Sequence, residues 1–575
     1  KEKLTAYKLI REEDLTDIHS KGYILSHRKT GARVMLIEND DENKVFSIAF
    51  RTTPKDSTGV PHILEHSVLC GSKEFPLKDP FVELVKGSLN TFLNAMTYPD
   101  KTCYPVASCN DQDFQNLMHV YLDAVFFPNI YQKEEIFRQE GWNYHLEKPE
   151  GPLTYNGVVY NEMKGAFSSP DDVLEREIMN TLFPDTTYGV ESGGDPEYIP
   201  DLTYEQFLQF HRTYYHPSNS YIYLYGNMDM AEKLEFIDKH YLSGFEALDV
   251  DSHIAPQPAF KACRDTVKEY PVAENEGEED NSYLSYNMVV GDTTDNVKCL
   301  AFEVLDYALL SAPGAPLKKA LLDAGIGKDI YGSFEDGILQ PYFTIVAKGS
   351  NLDKKEEFVS LIRQVLGEIV HNGVDKKAIL AGINYMEFRY READFGSSPK
   401  GLMYGLDIMG DWLYGDEKPF AQVQQLAVFD QLKKSVDEGY FEQLIRDCLL
   451  ENPHGAVLCL VPKKGLAAKR EKELADKLEN YRKSLSEKEL AEMVKRTQEL
   501  EAYQEAEEDP AFLECIPMLK RTDIKREAAK LTNDPQQVDE SLFLYHDVCT
   551  NGIGYTDLMF QVQDMEIEKI HYLGL

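Results

Sequence analysis

Two histidines and a glutamate within Pro61-His62-Ile63-Leu64-Glu65-His66 have the types and spacing that metal chemistry requires. A helix that begins at Pro61, where the missing backbone N–H is not needed, places His62 and His66 one turn apart on one face. Two imidazoles at that spacing can bind one metal ion, and Glu65 projects close enough to hold a water molecule beside it. The order His-x-x-Glu-His is a metallopeptidase signature, so the segment predicts a zinc hydrolase. The alternative is a pair of exposed helix histidines beside a glutamate, without a metal.

A catalytic zinc site needs a third protein ligand and one open coordination position. Cys70 continues the stripe of His62 and His66, but it lies about 12 Å along the helix from His62, which is too far for one ion. Glu162 is a carboxylate near the start of a mostly apolar helix, where a charge needs a partner. From the residues alone the alternatives stay open, and each is expected on the surface: Glu74, Glu83 and Glu140.

The elements that must position these residues follow from hydrophobic periodicity. Alternation over 31–52 predicts two strands joined as a hairpin, and a second strand pair is predicted at 90–97 and 102–108. Helical periodicity covers 61–70, 79–88, 111–127 and 158–180. A closing strand is predicted at 220–226, after His216-Pro217-Ser218-Asn219. The strand at 91–97 could present a free edge to which an extended peptide adds.

The pattern of this closing segment, which is a residue before proline, a polar pair and then an alternating strand, recurs at 452–461. This recurrence indicates an internal repeat. We therefore predict an α+β fold of two homologous domains, each a mainly antiparallel sheet packed with helices, followed by a helical hairpin linker. The predicted boundaries are 1–250 for the catalytic zinc-binding domain, 251–462 for a homologous non-catalytic domain, 463–535 for the linker and 536–575 for the start of a truncated third domain.

Composition limits the partners and the compartment. The chain carries 60 Lys and Arg against 98 Asp and Glu, and this net charge of −38 predicts no binding to nucleic acid or anionic lipid. The sequence contains no apolar run of about 18 residues, so no membrane span is predicted. A cationic peptide is the partner that such a charge attracts. Nine cysteines without a CxxC pair indicate a reducing compartment, either the cytoplasm or an organelle matrix after removal of a targeting peptide.

Four segments together resemble the pitrilysin/insulysin family of inverted-motif zinc peptidases, in its presequence-protease and falcilysin branch. The 96-residue step from His66 to Glu162 is also typical of that branch. The four segments are His62-Ile63-Leu64-Glu65-His66, Val159-Tyr160-Asn161-Glu162-Met163-Lys164-Gly165, Ser192-Gly193-Gly194-Asp195-Pro196 and Tyr215-His216-Pro217-Ser218-Asn219.

The resemblance implies a role for each site residue. His62, His66 and Glu162 would bind Zn²⁺, Glu65 would be the general base, and the Asn94-Ala95 pair would contact substrate. In this family four homologous domains form two bowl-shaped halves that enclose unfolded peptides, such as targeting peptides. The chain would be the N-terminal half of such an endopeptidase, with the C-terminal half as its partner. The alternative is an inactive half-enzyme or a peptide-binding subunit that needs a C-terminal half.

Overall fold

The computed structural model describes residues 5–528, 530 and 532–574. Ten strands of this described chain precede residue 250, and all but two of them join one sheet. They are β1 (Tyr7–Leu15), β2 (Ser20–His27), β3 (Arg33–Glu38), β4 (Lys44–Arg51), β5 (Asn90–Leu93), β6 (Met96–Thr97), β7 (Lys101–Ser108), β8 (Asn143–His145), β9 (Thr154–Asn156) and β10 (Ser220–Gly226). The sheet runs β1-β2-β3-β10-β4-β7-β5, with β6 also paired to β7, while β8 and β9 pair with each other.

Eight α-helices of the described chain precede residue 250 and belong with this first sheet. They are α1 (Val60–Val68), α2 (Pro80–Val85), α3 (Asp111–Phe126), α4 (Glu134–Glu140), α5 (Val158–Ala166), α6 (Pro170–Leu182), α7 (Tyr204–Tyr214) and α8 (Met230–His240). One face of the sheet forms a core with α1, α3 and α7, in which Ile48, Ile63, Leu117 and Phe207 are fully buried. That core holds α1 against the sheet, so the position of its histidines is set by packing.

A second sheet follows with five strands. They are β11 (Arg264–Val272), β12 (Ser282–Val289), β13 (Asp329–Glu335), β14 (Tyr342–Ser350) and β15 (Gly455–Lys464), in the order β11-β15-β12-β14-β13. Its helices are α9 (Asn296–Asp306), α10 (Pro316–Asp323), α11 (Lys355–Asn372), α12 (Lys376–Glu392), α13 (Lys400–Trp412), α14 (Leu426–Ser435) and α15 (Tyr440–Leu444).

The two sheets share one arrangement of their closing strands. In the first, β10 lies parallel to β3 and antiparallel to β4. In the second, β15 lies parallel to β11 and antiparallel to β12. The repeat predicted from the two closing segments therefore has a structural counterpart, and the α+β class is confirmed.

Two local predictions were wrong. β3 and β4 do not form a hairpin, because β10 lies between them. The single helix expected over 158–180 is two helices, since Ser169 caps a new helix by accepting a hydrogen bond from the backbone N–H of Asp172, and Pro170 begins it.

The last part of the described chain is largely helical and then exposed. Its elements are α16 (Leu466–Ser484), α17 (Glu487–Glu505), α18 (Pro510–Leu513), β16 (Asp534–Val538) and β17 (Ser541–Tyr545). Leu478 of α16 packs with Leu146 and Leu153, which joins the helical pair to the first unit. Among the described residues, no helix combines the length and the apolar character that a membrane span requires. The domain boundaries given above stay a prediction.

Candidate metal centre

Helix α1 presents three chemically active side chains to one cleft. Gly59 precedes the helix with φ 71°, and a Cβ there would lie 2.6 Å from the Cα of Gly194, so glycine allows the helix to begin against that loop. The His62 and His66 rings stand 4.9 Å apart between centroids. Glu65 is only 9% exposed. The structure has the predicted one-turn spacing of the two imidazoles.

Glu162 comes from α5 and completes a group of three potential ligands. Its Oε2 atom lies 3.8 Å from Nε2 of His62 and 3.7 Å from Nε2 of His66. One ligand atom from each of the three residues lies within 4.8 Å of the others. Within the residues that the structure describes, no second group of three His, Cys, Asp or Glu side chains meets this geometry.

The ring nitrogens that face away from this group each contact another part of the chain. Nδ1 of His62 donates to the carbonyl oxygen of Gly193 at 2.9 Å. Nδ1 of His66 donates to Oε2 of Glu140 at 3.3 Å. Both contacts fix the ring orientation and leave Nε2 directed at Glu162, as the outer partners of metal-binding histidines do.

Glu140 is a buried carboxylate, and the expectation that it lies on the surface was wrong. It is 7% exposed and also accepts a hydrogen bond from Gln139 at 2.8 Å. Burial raises the pKa of the Glu140 carboxyl, but the hydrogen bonds from His66 and Gln139 outweigh burial and the net shift is downward. Burial lowers the pKa of His66, and the carboxylates around it outweigh burial and raise the pKa above its usual value.

Helix α5 reaches the site because its start packs tightly on the chain after α4. A Cβ on Gly157 would lie 2.2 Å from the carbonyl oxygen of Gly141, so only glycine fits there. Val159 and Tyr160 are buried on the inner face of α5, whereas the side chain of Glu162 is 53% exposed at the cleft. The carboxylate therefore sits on an anchored helix but faces solvent.

The cleft in front of this group has a volume of about 560 Å³. Asn94 and Ala95 line it together with Thr97, on the segment of β5 and β6 at the end of the sheet. The hydroxyl of Thr97 donates to Oε2 of Glu65 at 2.5 Å. The structure thus brings all six predicted site residues to one cleft, although their roles stay predictions.

The other candidate ligands lie elsewhere. Glu74 accepts from His119 at 3.0 Å, and Glu83 accepts from Lys86 at 2.6 Å. Cys70 directs its thiol to the backbone carbonyl of His66. None of the three belongs to the group around Glu162.

Comparison with known proteins identifies the family. The model for insulinase, peptidase family M16, matches residues 50–148. The model for the inactive domain of the same peptidase family matches 201–386, and the model for a region associated with its subfamily C matches 460–575. Protein HypA of Clostridium perfringens (strain 13 / Type A) is 49% identical over 571 residues, which are 99% of this chain and 59% of that protein. The chain belongs to peptidase family M16.

A plant M16 relative carries a functional name. Presequence protease 1, chloroplastic/mitochondrial, of Arabidopsis thaliana is 41% identical over 577 residues, covering 99% of this chain and 53% of that protein. The chain thus spans between a half and three fifths of the length of these two relatives. Two solved structures agree in fold: a protease from Helicobacter pylori has a TM-score of 0.60 at 16% identity, over 77% of this chain and all of that one. Pitrilysin has a TM-score of 0.53 at 16% identity, over 80% of this chain and 47% of its own.

Three contacts of this M16 site were not predicted from the sequence. They are the Gly193 carbonyl beside His62, the buried Glu140 beside His66, and the Thr97 hydroxyl on Glu65. A backbone carbonyl has no sequence signal. The available signal for Glu140 is its place on α4 beside the buried Ile136 and Phe137.

Proposed function

We propose that this chain is the catalytic part of a zinc-dependent endopeptidase that cleaves unfolded peptides. The observation that carries the proposal is the convergence of His62, His66 and Glu162, from two helices far apart in sequence, with Glu65 beside them in an open cleft. Membership of family M16 and relatives named presequence protease support a peptidase function. The zinc and the substrate class are the finer parts of the proposal.

The donor set fits a catalytic zinc ion. Two ligands with bonds of about 2.1 Å to one ion lie no more than about 4 Å apart. The separations of 3.7 and 3.8 Å between the carboxylate of Glu162 and the two imidazoles fall within that span. Two nitrogens and one oxygen suit Zn²⁺ and leave a fourth position for water or substrate. When bound there, zinc would polarise the scissile carbonyl and make water more acidic.

Glu65 has the position of a general base. It lies one residue before His66 on α1 but is outside the ligand group, so its carboxylate is free to accept a proton from water in the cleft. The same carboxylate can then deliver that proton to the leaving amine of the cleaved peptide. His62 and His66, held through their Nδ1 atoms, orient the site and take no part in proton transfer.

The substrate would bind as an extended chain. Asn94 and Ala95 lie at the edge of the first sheet beside the ligand group. The backbone N–H of Asn94 donates to Pro105 and its carbonyl oxygen accepts from Tyr121, so pairing with a peptide in front of Glu65 would use the backbone of Ala95. The net charge of −38 favours basic peptides, such as targeting peptides. A C-terminal half of the same enzyme would complete the enclosure. Nine free cysteines support the cytoplasm as the compartment, with an organelle matrix as the alternative.

The test measures bound zinc and peptide turnover in three proteins. Wild type should bind one zinc ion and cleave an unfolded peptide. Glu65→Gln should keep zinc and lose at least about a hundredfold in kcat, because the proton acceptor is removed. His62→Ala should lose both zinc and activity. Zinc is measured by elemental analysis and turnover with a fluorogenic peptide.

Glu74→Gln is the matched control, since it makes the same chemical change at a carboxylate that pairs with His119 away from the cleft. It should behave as wild type. A wild-type chain without zinc would refute the proposal. Zinc without turnover, in the chain alone and after addition of a C-terminal half, would indicate a peptide-binding subunit instead.

A further inference from the structure

The turn between β6 and β7 is held by the second unit of the molecule. Asp100 in this turn is fully buried, and its Oδ2 atom accepts hydrogen bonds from the hydroxyls of Tyr188, at 2.6 Å, and of Tyr414. Tyr414 follows α13 and so belongs to the part of the chain that carries the second sheet. A buried carboxylate needs such donors, so the turn and Tyr414 stabilise each other.

Further contacts join the same turn to the loop between β13 and β14. The ammonium of Lys101 donates to the carbonyl oxygen of Gly337 at 3.0 Å, and the hydroxyl oxygen of Tyr414, whose proton goes to Asp100, lies 3.2 Å from the same carbonyl oxygen. The backbone N–H of Leu339 donates to the hydroxyl of Tyr188 at 3.0 Å. The turn therefore has polar contacts with two separate loops of the second unit.

The strand that enters this turn contacts the proposed general base. Thr97 is three residues before Asp100, and its hydroxyl donates to Glu65 at 2.5 Å. The turn closes through a hydrogen bond from the backbone N–H of Tyr98 to the carbonyl oxygen of Lys101, at 2.8 Å. A displacement of Asp100 would thus move Thr97 relative to α1.

We propose that Thr97 is a positioning residue that orients the Glu65 carboxylate, and that Tyr414 acts through Asp100 to hold Thr97 in place. The second unit, which contributes no ligand or base, would in this way set the geometry of the catalytic carboxylate. The inference rests on the proposed function for the role of Glu65. The contacts that carry it are those of the turn and do not depend on the metal.

The first arm measures kinetics of the zinc-loaded chain, with its C-terminal half added if turnover requires it. Thr97→Val keeps the shape but removes the hydroxyl, and kcat should fall by roughly 10- to 100-fold, with KM changed by less than about twofold, because the base is misoriented. Thr97→Ser should restore most of kcat. Tyr414→Phe should lower kcat in the wild-type background and have little further effect in the Thr97→Val background.

Tyr223→Phe is the control for a general loosening between the units. Tyr223 is also a buried tyrosine that donates across the units, to the carbonyl oxygen of Gly401 at 2.9 Å, but it does not contact the turn. This variant should keep the wild-type kcat. An equal loss in Tyr223→Phe, or independent effects of Tyr414→Phe and Thr97→Val on kcat, would overturn the proposal.

The second arm compares crystal structures of zinc-loaded wild type, Thr97→Val and Tyr414→Phe. The Glu65 carboxylate should be displaced or lose its single orientation in both variants. An unmoved carboxylate in both would overturn the inference even if kcat falls. If wild type shows no turnover under any condition, the proposed function fails, whereas the crystallographic comparison still decides whether Tyr414 and Thr97 position Glu65.

Discussion

At the scale of single residues, the site depends on how the two histidines use their second ring nitrogen. His62 donates to a neutral backbone carbonyl and His66 to a buried carboxylate. A carboxylate acceptor makes an imidazole a stronger electron donor and fixes its tautomer. His66 should therefore be the ligand whose strength depends on a residue outside the ligand group.

Substitution of Glu140 tests this dependence. Glu140→Ala should weaken zinc affinity by about 10- to 100-fold, since such outer partners contribute that much to metal binding. Glu140→Gln should have a smaller effect, because the amide oxygen still accepts from Nδ1 of His66 but carries no charge. Affinity is measured by competition with a chelator. Glu83→Gln, at a residue that pairs with Lys86 on the surface, is the control and should bind zinc as wild type does. Equal affinities for all variants would mean that Glu140 only fills space.

The residues of the site differ in how far the sequence alone could predict them. His62, Glu65 and His66 lie on one helix, whose geometry relates their positions directly. Glu162 lies on another helix, and its chemistry alone does not distinguish it from other carboxylates; the family resemblance does. Gly193 contributes only a carbonyl oxygen, and its approach to His62 depends on the folded loop.

At the scale of elements, the third ligand depends on the close contact at the start of α5. Gly157→Ala would place a Cβ 2.2 Å from the carbonyl oxygen of Gly141, so the helix must shift and carry Glu162 with it. We expect a loss of about 1–3 kcal/mol in the free energy of unfolding, as in other overpacked positions, together with weaker zinc binding. Chemical denaturation and chelator competition measure the two effects.

Gly165→Ala is the control on the same helix. A Cβ at Gly165 meets no atom within 4 Å, so alanine should raise the free energy of unfolding by up to about 1 kcal/mol and leave zinc binding unchanged. Weaker zinc binding in both variants would show that the effect arises from any change in α5 and not from the contact with Gly141.

The type of each element could be predicted from hydrophobic periodicity, but the pairing of the strands could not. The turn-rich residues between β3 and β4 gave an ordinary hairpin signal, yet Tyr221 to Tyr225 of β10 pair with both strands. That strand comes more than 150 residues later in the sequence, and a local pattern contains no information about it. The break before α6 was visible at Ser169-Pro170 and could have been predicted from its cap and proline.

At the scale of the whole molecule, each of the two units packs one helix against the sheet of the other. Helix α6 buries Val173, Leu174 and Ile178 in a core shared with strands of the second sheet. Helix α13 packs in return on the first sheet, where Trp412 meets Tyr221 edge-on at 5.0 Å between ring centroids. This core therefore contains residues from both sides of a boundary near residue 250. A cut of the chain there would expose apolar surface on both parts.

The charge of the molecule leads to a prediction about salt. With a net charge of −38, attraction of a basic peptide should raise its association rate, and this attraction weakens as ionic strength rises. We expect kcat/KM for an Arg-rich peptide to fall several-fold between about 0.01 and 0.15 M salt. A neutral peptide of equal length should change much less. Equal salt dependence for both peptides would argue against electrostatic selection of the substrate.

The late arrival of β10 has a consequence for synthesis of the chain. β3 and β4 leave the ribosome with their facing edges unpaired, and the strand that joins them begins only at Ser220. At about 5–20 residues per second, this interval lasts on the order of ten seconds, during which two apolar edges are open to mispairing. The second sheet meets a similar delay, because β15 joins β11 and β12 only after a stretch of about the same length. Nascent-chain quality control should therefore matter more for this protein than for one whose strands pair in order.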